Sequence, residues 1–347
     1  MSQITLPMPP RDAVKILLQK LPSKRMKDVI EKRYGLKGGR SKTLETIGKE
    51  YKITRERVRQ IEADAFRHLT REETLREVSS VVDAIAAHVV LHGGIMAERH
   101  LFETLGDGKE RPHLLFLLEV CSRFRPIPES EESHRAWAVD EKRAQGAAKV
   151  MTGVRAELEK KEAPVSQSAL YEIVSRIGKK EFGGDIGDRV IETFLAASKV
   201  IKKNPYGEYG LSTWAAINPR GVRDKAYVAL ARAGNPLHFT EVAQAITDAG
   251  WSARKAHPQT VHNELIKDSR FVLVGRGYYA LREWGYEPGV VRDVIVSALR
   301  ESNIPLSKDR IVELVLKKRM VKPPTIFLNL QNRNIFKRLD DGTYTLV

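Results

Sequence analysis

The sequence predicts a mainly α-helical protein, a helix-turn-helix domain followed by an array of winged-helix modules with short β-hairpins. Three observations predict it: a basic N-terminal stretch with apolar residues at helical spacing, a helix, short turn and helix between residues 43 and 69, and an order of elements that recurs about every 70 residues beyond Arg71.

The chain has 347 residues, 42% hydrophobic and 30% charged, which suits several small packed domains. Lys and Arg number 59 against 44 Asp and Glu, a formal charge of +15 that favours a polyanionic partner. Nucleic acid and anionic membrane both meet that requirement. No stretch approaches the roughly 20 apolar residues of a spanning helix, so no membrane partner is expected. Met1 to Pro10 lacks a basic region followed by an apolar run, so no secretory signal is expected. Cys121 is the single cysteine; it excludes an internal disulfide and makes a cytoplasmic, nucleoid-associated location the expectation.

The first element is basic. From Arg11 to Lys42 there are eleven Lys or Arg against three Asp or Glu, interleaved with Val14, Leu17, Leu18, Val29 and Ile30. Glycines at 35, 38 and 39 break the pattern, and Ser41 or Thr43 can cap a new helix with Glu45 in its first turn. "TLETIGKEY" has an apolar face at Leu44 and Ile47, and "KIT" supplies a short turn before a second helix opens at Thr54. That helix, "TRERVRQIEADAFRHL", buries Val58, Ile61, Ala65 and Leu69 and offers Arg55, Glu56, Arg59 and Gln60 on the opposite face.

In a helix-turn-helix the first turn of the second helix meets base edges in the major groove. Arg55 can donate twice to guanine, Gln60 can pair with adenine and Glu56 can accept from cytosine. Arg57, Arg59, Lys42 and Arg67 are candidate phosphate contacts. The alternative is that this is only the solvated polar face of a charged helix.

The run "KTLETIGKEYKITRERVRQIEADAFRHL", with "RDAVKILLQKLPSKRMKDVIEKRYGL" ahead of it, resembles region 4 of bacterial primary-type sigma factors over about residues 11–75. The resemblance implies that Arg55, Glu56 and Gln60 touch bases of a minus-thirty-five promoter element. It also implies that Thr54, Arg57 and Arg59 contact the DNA backbone or support that contact, and that core RNA polymerase is a partner. Sigma factors open promoters with a separate aromatic-rich helical domain. Ten residues ahead of the resemblance cannot hold one, so an accessory role is expected rather than a self-sufficient sigma.

Four similar units follow, each a helix, a turn, two helices and a hairpin. Their first helices are read at "REVSSVVDAIAAHVVLHG", "AAKVMTGVRAELEKKEA", "GVRDKAYVALARAG" and "GVVRDVIVSALRES". After each comes a short apolar lead-in, with a second apolar residue five positions on in three units, Val165 to Leu170, Leu237 to Val242 and Leu306 to Ile311, and six on in the first, Ile95 to Leu101. Hairpins are expected where Gly275 to Gly277, Asp341-Gly342 and Asn204, Pro205 and Gly207 supply turns. Domain limits are expected at 1–75, 76–140, 141–216, 217–286 and 287–347. "AYVALARAGNPLHFTEVAQAI" and "VHNELIKDSRFVLVGRGYYALREW" resemble the HARE-type winged helix of the RNA polymerase delta subunit and of chromatin and restriction proteins, which implies DNA or polymerase association.

In the fourth unit Lys317, Lys318, Arg319 and Lys322 are candidate phosphate contacts, with Arg333, Lys337 and Arg338 near the hairpin. Cations at a helix end also offset its dipole, so a purely structural reading stays open.

Catalytic signals are weak. "GLKGGRSK" lacks the Walker spacing, and Gly275 with Gly277 lacks the third glycine and following helix of a dinucleotide site. His257 and His262 have no Cys or carboxylate at ligand spacing, so a packed or capping role is expected and no metal. Glu159 and Lys161 lie in a helical pattern where a nuclease needs a strand. No enzyme activity, cofactor or small-molecule substrate is expected. The partners expected are double-stranded DNA and RNA polymerase core. A protein scaffold that docks on polymerase without reading bases, or a general chromosome-binding protein, is the alternative.

Overall fold

The computed structural model describes residues 4–106, 108–286 and 288–347. The chain forms two compact units: one comprises the residues up to Lys202 with Tyr209–Leu211, the other Lys203–Glu208 and Ser212 onward.

The first unit opens with α1 (Pro10–Gln19), α2 (Lys24–Tyr34), α3 (Leu44–Tyr51), α4 (Arg55–Leu69) and the short α5 (Glu72–Arg76). Ser23, Thr43 and Thr54 are the N-caps of α2, α3 and α4, each hydroxyl accepting from a backbone N–H of the first turn. Gly35 ends α2 in the left-handed region, φ 70°, and a Cβ there would lie 2.5 Å from the Gly39 carbonyl.

Next come α6 (Ser79–Leu91), β1 (Ile95–Ala97), α7 (Glu98–Leu105), α8 (Arg111–Val120), β2 (Arg125–Ile127) and β3 (Ala136–Ala138), then α9 (Glu141–Lys161), α10 (Gln167–Phe182), α11 (Asp188–Ala197), β4 (Ile201–Lys203) and β5 (Tyr209–Leu211). The helix α9 starts six residues before the "AAKVMTG" run read from sequence. Asp140 caps it by accepting from Lys142 N, and the "EKRAQG" that precedes the run has no large apolar residue to reveal the extra turns. Gly146 lies where any Cβ would stand 2.5 Å from the Phe182 ring, so α10 packs close.

The second unit holds α12 (Gly221–Ala233), β6 (Leu237–His238), α13 (Phe239–Asp248), α14 (Pro258–Lys267), β7 (Phe271–Leu273) and β8 (Tyr278–Leu281), followed by α15 (Val291–Ser302), α16 (Lys308–Lys318), α17 (Pro323–Leu330), β9 (Phe336–Arg338) and β10 (Tyr344–Leu346). The order helix, extended lead-in, two helices and hairpin thus occurs four times.

The recurring apolar lead-in is the third strand of each small sheet. Ile95 pairs with Ala138 and Leu237 with Tyr279, while Val165 and Leu306 form single bridges to Tyr209 and Tyr344, the first residues of their hairpins' second strands. The residue five or six on, Leu101, Leu170, Val242 or Ile311, lies at or near the start of the next helix and is fully buried. A strand position followed by an inward helix position produces that spacing. Gly277 and Gly342, with φ of 76° and 85°, make the turns of the last two hairpins. In the first module β2 and β3 are joined by residues 128–135, a longer connection without a tight turn signal.

The helix-turn-helix has a small core of its own, Val29, Ile47, Val58 and Ile61. A larger core ignores the boundary expected at residue 75. Ala13, Val14, Leu17 and Leu18 of α1 and Ala65 and Leu69 of α4 are continuous with Val81, Ile85 and Val89 of α6 and Leu114, Phe116 and Leu117 of α8. Tyr34, Phe66 and Phe116 meet with ring centroids 5.0 to 6.3 Å apart, and the Tyr34 hydroxyl donates to Glu119 at 2.5 Å. Cys121, at the end of α8, is buried, and burial pushes its thiol up to about 11.

Among the described residues, four histidines are also buried in the first module, His88, His92, His100 and His113. The His88 and His92 rings lie tilted with centroids 4.3 Å apart, those of His92 and His100 meet edge-on at 6.1 Å, and His88 Nε2 bonds the Thr104 hydroxyl at 2.9 Å. Burial, with the neighbouring His92, His100 and Arg189, lowers His88 to about 4, and burial lowers His100 too.

Two outcomes are expected. Phe116→Ala should cost about 3 to 5 kcal/mol, and because the core is shared, calorimetry should show the helix-turn-helix and the first winged module destabilised in one transition. A separate, unshifted transition for the helix-turn-helix would contradict the shared core. His88 is neutral when folded, so the unfolded chain binds the extra proton between the ordinary histidine value and about 4. Stability should be complete above about pH 6.5, fall as pH drops toward 4, and fall less in His88→Gln.

Candidate nucleic-acid interface

The helix-turn-helix is held by its turn. Lys52 closes α3 in the left-handed region, φ 53°, and Ile53 N donates to Gly48 O at 3.0 Å. Gly48 is required by the close approach: a Cβ would stand 2.8 Å from the Ile53 carbonyl. Tyr51 is fixed on the other side, where its hydroxyl donates to Asp28 and its ring lies 5.1 Å from the Arg25 guanidinium and 4.6 Å from the Lys32 ammonium. Lys32 itself bridges Asp28 and Glu50, which hold its pKa above the ordinary lysine value.

These contacts orient α4. Val58, Ile61, Ala65 and Leu69 face inward, whereas Arg55, Glu56, Arg57, Arg59 and Gln60 are all exposed. At 100° per residue, Arg55, Arg59, Glu56 and Gln60 occupy one continuous arc of about 140°. The structure therefore brings the three expected base readers onto one accessible face.

Their partners differ. Arg59 makes two bonds to the Glu56 carboxylate, 2.7 and 2.9 Å, and these hold Glu56 below the usual carboxylate range. Arg57 Nη1 donates to Gln60 Oε1 at 3.0 Å. Among the described residues no ion pair holds Arg55 or the neighbouring Lys52; both are exposed beside the first turn of α4, where the Arg55 charge helps hold Glu45 and Glu56 below the usual carboxylate range. Thr54 Oγ1 accepts from Arg57 N at 3.1 Å, which leaves its hydroxyl hydrogen available outward. Lys42 is half-buried and paired with Glu50 at 2.5 Å, with Arg33 donating to its carbonyl. Arg67 is exposed and bonded to Asp64 at 2.7 Å. Lys52 was not singled out from sequence because it reads there only as part of a turn; its left-handed backbone is what projects it beside Thr54.

The cationic run of the fourth winged module separates into unlike members. Arg319 is not the exposed phosphate contact expected from sequence: it is 8% exposed, and its guanidinium donates to the carbonyls of Leu273 and Gly289. The reason is the seam between the third and fourth modules, where Met320 N donates to Val274 O at 3.0 Å and turns the preceding side chain inward. Lys318 bonds Glu301 at 3.2 Å and is largely covered, and Lys317 bonds Glu313 at 2.9 Å while remaining exposed. Lys322, Arg333, Lys337 and Arg338 are exposed, and among the described residues no ion pair holds them.

Neither set-aside histidine approaches a ligand cluster. His257 lies on the surface at the start of α14, His262 stacks on Phe239 at 4.6 Å and Tyr279 at 5.8 Å, and no group of three or more metal-ligating side chains occurs among the described residues. Glu159 and Lys161 lie on α9, with Glu159 bonded to Arg155. Among the described residues no helix is long and apolar enough to cross a membrane.

Two segments match known families. Residues 17–71 match sigma-70, region 4, and residues 221–284 match the HARE-HTH family, a helix-turn-helix domain whose description includes ASXL and restriction endonuclease proteins. The chain is similar to the RNA polymerase sigma factor SigA of Nostoc sp., 53% identical over 58 residues, 16% of this chain and 15% of that protein. It is 44% identical over 59 residues to SigA of Clostridium acetobutylicum, 17% of this chain and 16% of that protein. Against SigA of Lactococcus lactis subsp. cremoris the identity is 50% over 56 residues, 15% of each. The chain thus spans about one-sixth of the length of the curated relatives it matches. The matched stretch runs from the end of α1 through α4, and the second family match coincides with the third winged module, from α12 to just past β8.

Gly48→Ala should displace the turn at the Ile53 carbonyl, costing about 1 to 3 kcal/mol in urea unfolding and weakening duplex binding. Unchanged stability would show that the turn yields without cost.

Proposed function

We propose that this protein binds double-stranded DNA in bacterial transcription initiation, reading a minus-thirty-five-like promoter element with α4 and associating with RNA polymerase. It works by adhesion rather than catalysis, as a sigma-like or accessory factor that supplies a promoter reader or competes with sigma for it. The observation that carries the reading is the exposed arc of Arg55, Glu56, Arg59 and Gln60 on a helix whose opposite face is locked into a core. The segment bearing that arc is the one similar to region 4 of SigA proteins.

Arg55 has its full donor set available for a guanine edge. Gln60 and Glu56 engage bases by exchanging their bonds to Arg57 and Arg59 for bonds to adenine and cytosine, which frees both guanidiniums for phosphates. A good bidentate pair discriminates by about 1 to 3 kcal/mol, and neutralised phosphates release counterions that make binding salt-dependent.

The same Glu56–Arg59 and Arg57–Gln60 bonds favour a second reading, since they occupy two of the three base readers in the free protein. In that reading the region docks on polymerase as a scaffold and the winged modules bind other proteins. A chromosome-coating protein would show salt dependence without sequence preference.

Binding to duplexes with and without a minus-thirty-five-like hexamer, at several salt concentrations, separates the three. Wild type should prefer the hexamer, and Arg55→Ala with Gln60→Ala should lose the preference, reducing specific affinity about 30- to 20,000-fold, while retaining polymerase on co-purification. Absence of any preference in wild type would overturn base readout; absence of polymerase would overturn the transcription partner.

A further inference from the structure

The four winged modules are not equivalent as surfaces. In the first, the third helix α8 is buried through Leu114, Phe116, Leu117 and Leu118 in the core shared with α1, which leaves Arg111 and Glu119 as its exposed residues. In the second, the third helix α11 presents Asp188 and Glu192 outward with Arg189 between them. The third and fourth modules differ from both, and they are joined.

Their seam has three parts. Met320 N donates to Val274 O, Gly275 lies so close that a Cβ would stand 3.2 Å from the Met320 carbonyl, and the buried Arg319 guanidinium ties Leu273 and Gly289 together. The hairpin turn of the third module therefore rests on the segment that leads into α17. Arg276, one residue past Gly275, and Lys322, two past Met320, are both exposed and, among the described residues, held by no ion pair. With Arg319 buried, Lys318 largely covered and Lys317 paired with Glu313, Lys322 is the cation of the run left outside any ion pair among the described residues, and the seam sets its segment against the turn that carries Arg276.

Helix stability does not explain Lys322. It is the N-cap residue of α17, where the positive end of the helix dipole disfavours a cation by about 0.3 to 1 kcal/mol, and Pro323 and Pro324 leave no N–H there for it to compete with. An anion brought to that edge would be attracted by the lysine charge, since Pro323 and Pro324 have no N–H and the Thr325 N–H is given to the Lys322 carbonyl. Arg333 follows α17, and Lys337 and Arg338 on β9 are exposed beside a turn whose Asp341 carboxylate is engaged by Thr343.

We infer that the third and fourth winged modules, locked by the Arg319 seam, form a second DNA-backbone grip in which Arg276 and Lys322, with Arg333, Lys337 and Arg338, neutralise phosphates without reading sequence. This rests on the DNA-binding reading above and adds a separate site to it. The site tethers the protein to the duplex, and α4 selects the position.

The test is the slope of log Kobs against log salt for the full chain on duplexes with and without the hexamer. Neutralising all five as Arg276→Gln, Lys322→Gln, Arg333→Gln, Lys337→Gln and Arg338→Gln should reduce the slope by about 4.5, at roughly 0.9 per phosphate, and weaken both duplexes alike with the hexamer preference kept. The pair Arg276→Gln and Lys322→Gln alone should remove about 2 of that slope. A control triple, Lys225→Gln, Lys267→Gln and Arg300→Gln on α12, α14 and α15, should leave the slope within about 1 of wild type.

An unchanged slope in the fivefold variant, or an equal loss in the control, overturns the grip. Loss in the fivefold variant without loss in the pair overturns its placement at the seam. Loss of co-purifying polymerase at constant slope would make the edge a protein contact instead. Wild type without hexamer preference would refute the reading of α4, while the slope comparison would still decide the grip.

Discussion

The exposed face of α4 depends on the burial of its other face in two places at once. Val58 and Ile61 close a small core with Val29 and Ile47, and one turn further on Ala65 and Leu69 enter the larger core built by α1, α6 and α8. The second helix of a helix-turn-helix carried on a free three-helix domain could pivot. Here its C-terminal half is packed among apolar side chains of the next module, so the direction in which Arg55 and Gln60 project is set by contacts on the far side of the helix.

The same economy shapes the winged modules. Each has only two or three short strands, too few to be stable as an isolated hairpin, and each gains a third strand position from the apolar lead-in before its second helix. The sheet covers one side of a three-helix core whose members, such as Leu230, Val242, Val261 and Tyr279 in the third module, come from every helix and from the hairpin. Such small cores gain from being joined. The seam at Val274 and Met320, and the core shared between α1 and α8, are two solutions to that need.

Charge has been placed with as much discrimination as apolar surface. Lys317, Lys318, Arg319 and Lys322 lie within six residues, yet one is exposed in an ion pair, one is largely covered beside Glu301, one is buried against two carbonyls and one is exposed outside any ion pair among the described residues. Peptide carbonyls accept hydrogen bonds from both Nη groups of the buried Arg319, whereas its Nε has no partner and desolvation lowers its pKa from the ordinary arginine value.

Much of this was legible in the linear pattern. Thr43 and Thr54 as caps, the inward residues of α4 and the outward set at 55, 56, 59 and 60 follow from helical periodicity and capping chemistry, which are local. The four lead-ins showed themselves as an apolar pair five or six residues apart, and the last two hairpins by their glycines. What was not legible was non-local. No period in "RPHLLFLLEV" says that α8 faces α1, nothing in "KKRMVK" distinguishes the inward arginine from the outward lysine, and the early start of α9 lacked a strong apolar marker. The sequence alone therefore determined the kinds of element and which side chains each could offer, because those depend on neighbours a few residues apart. The tertiary structure decided which of those side chains remain available, because that depends on partners up to a hundred residues away, joined only when separate helices close on one another.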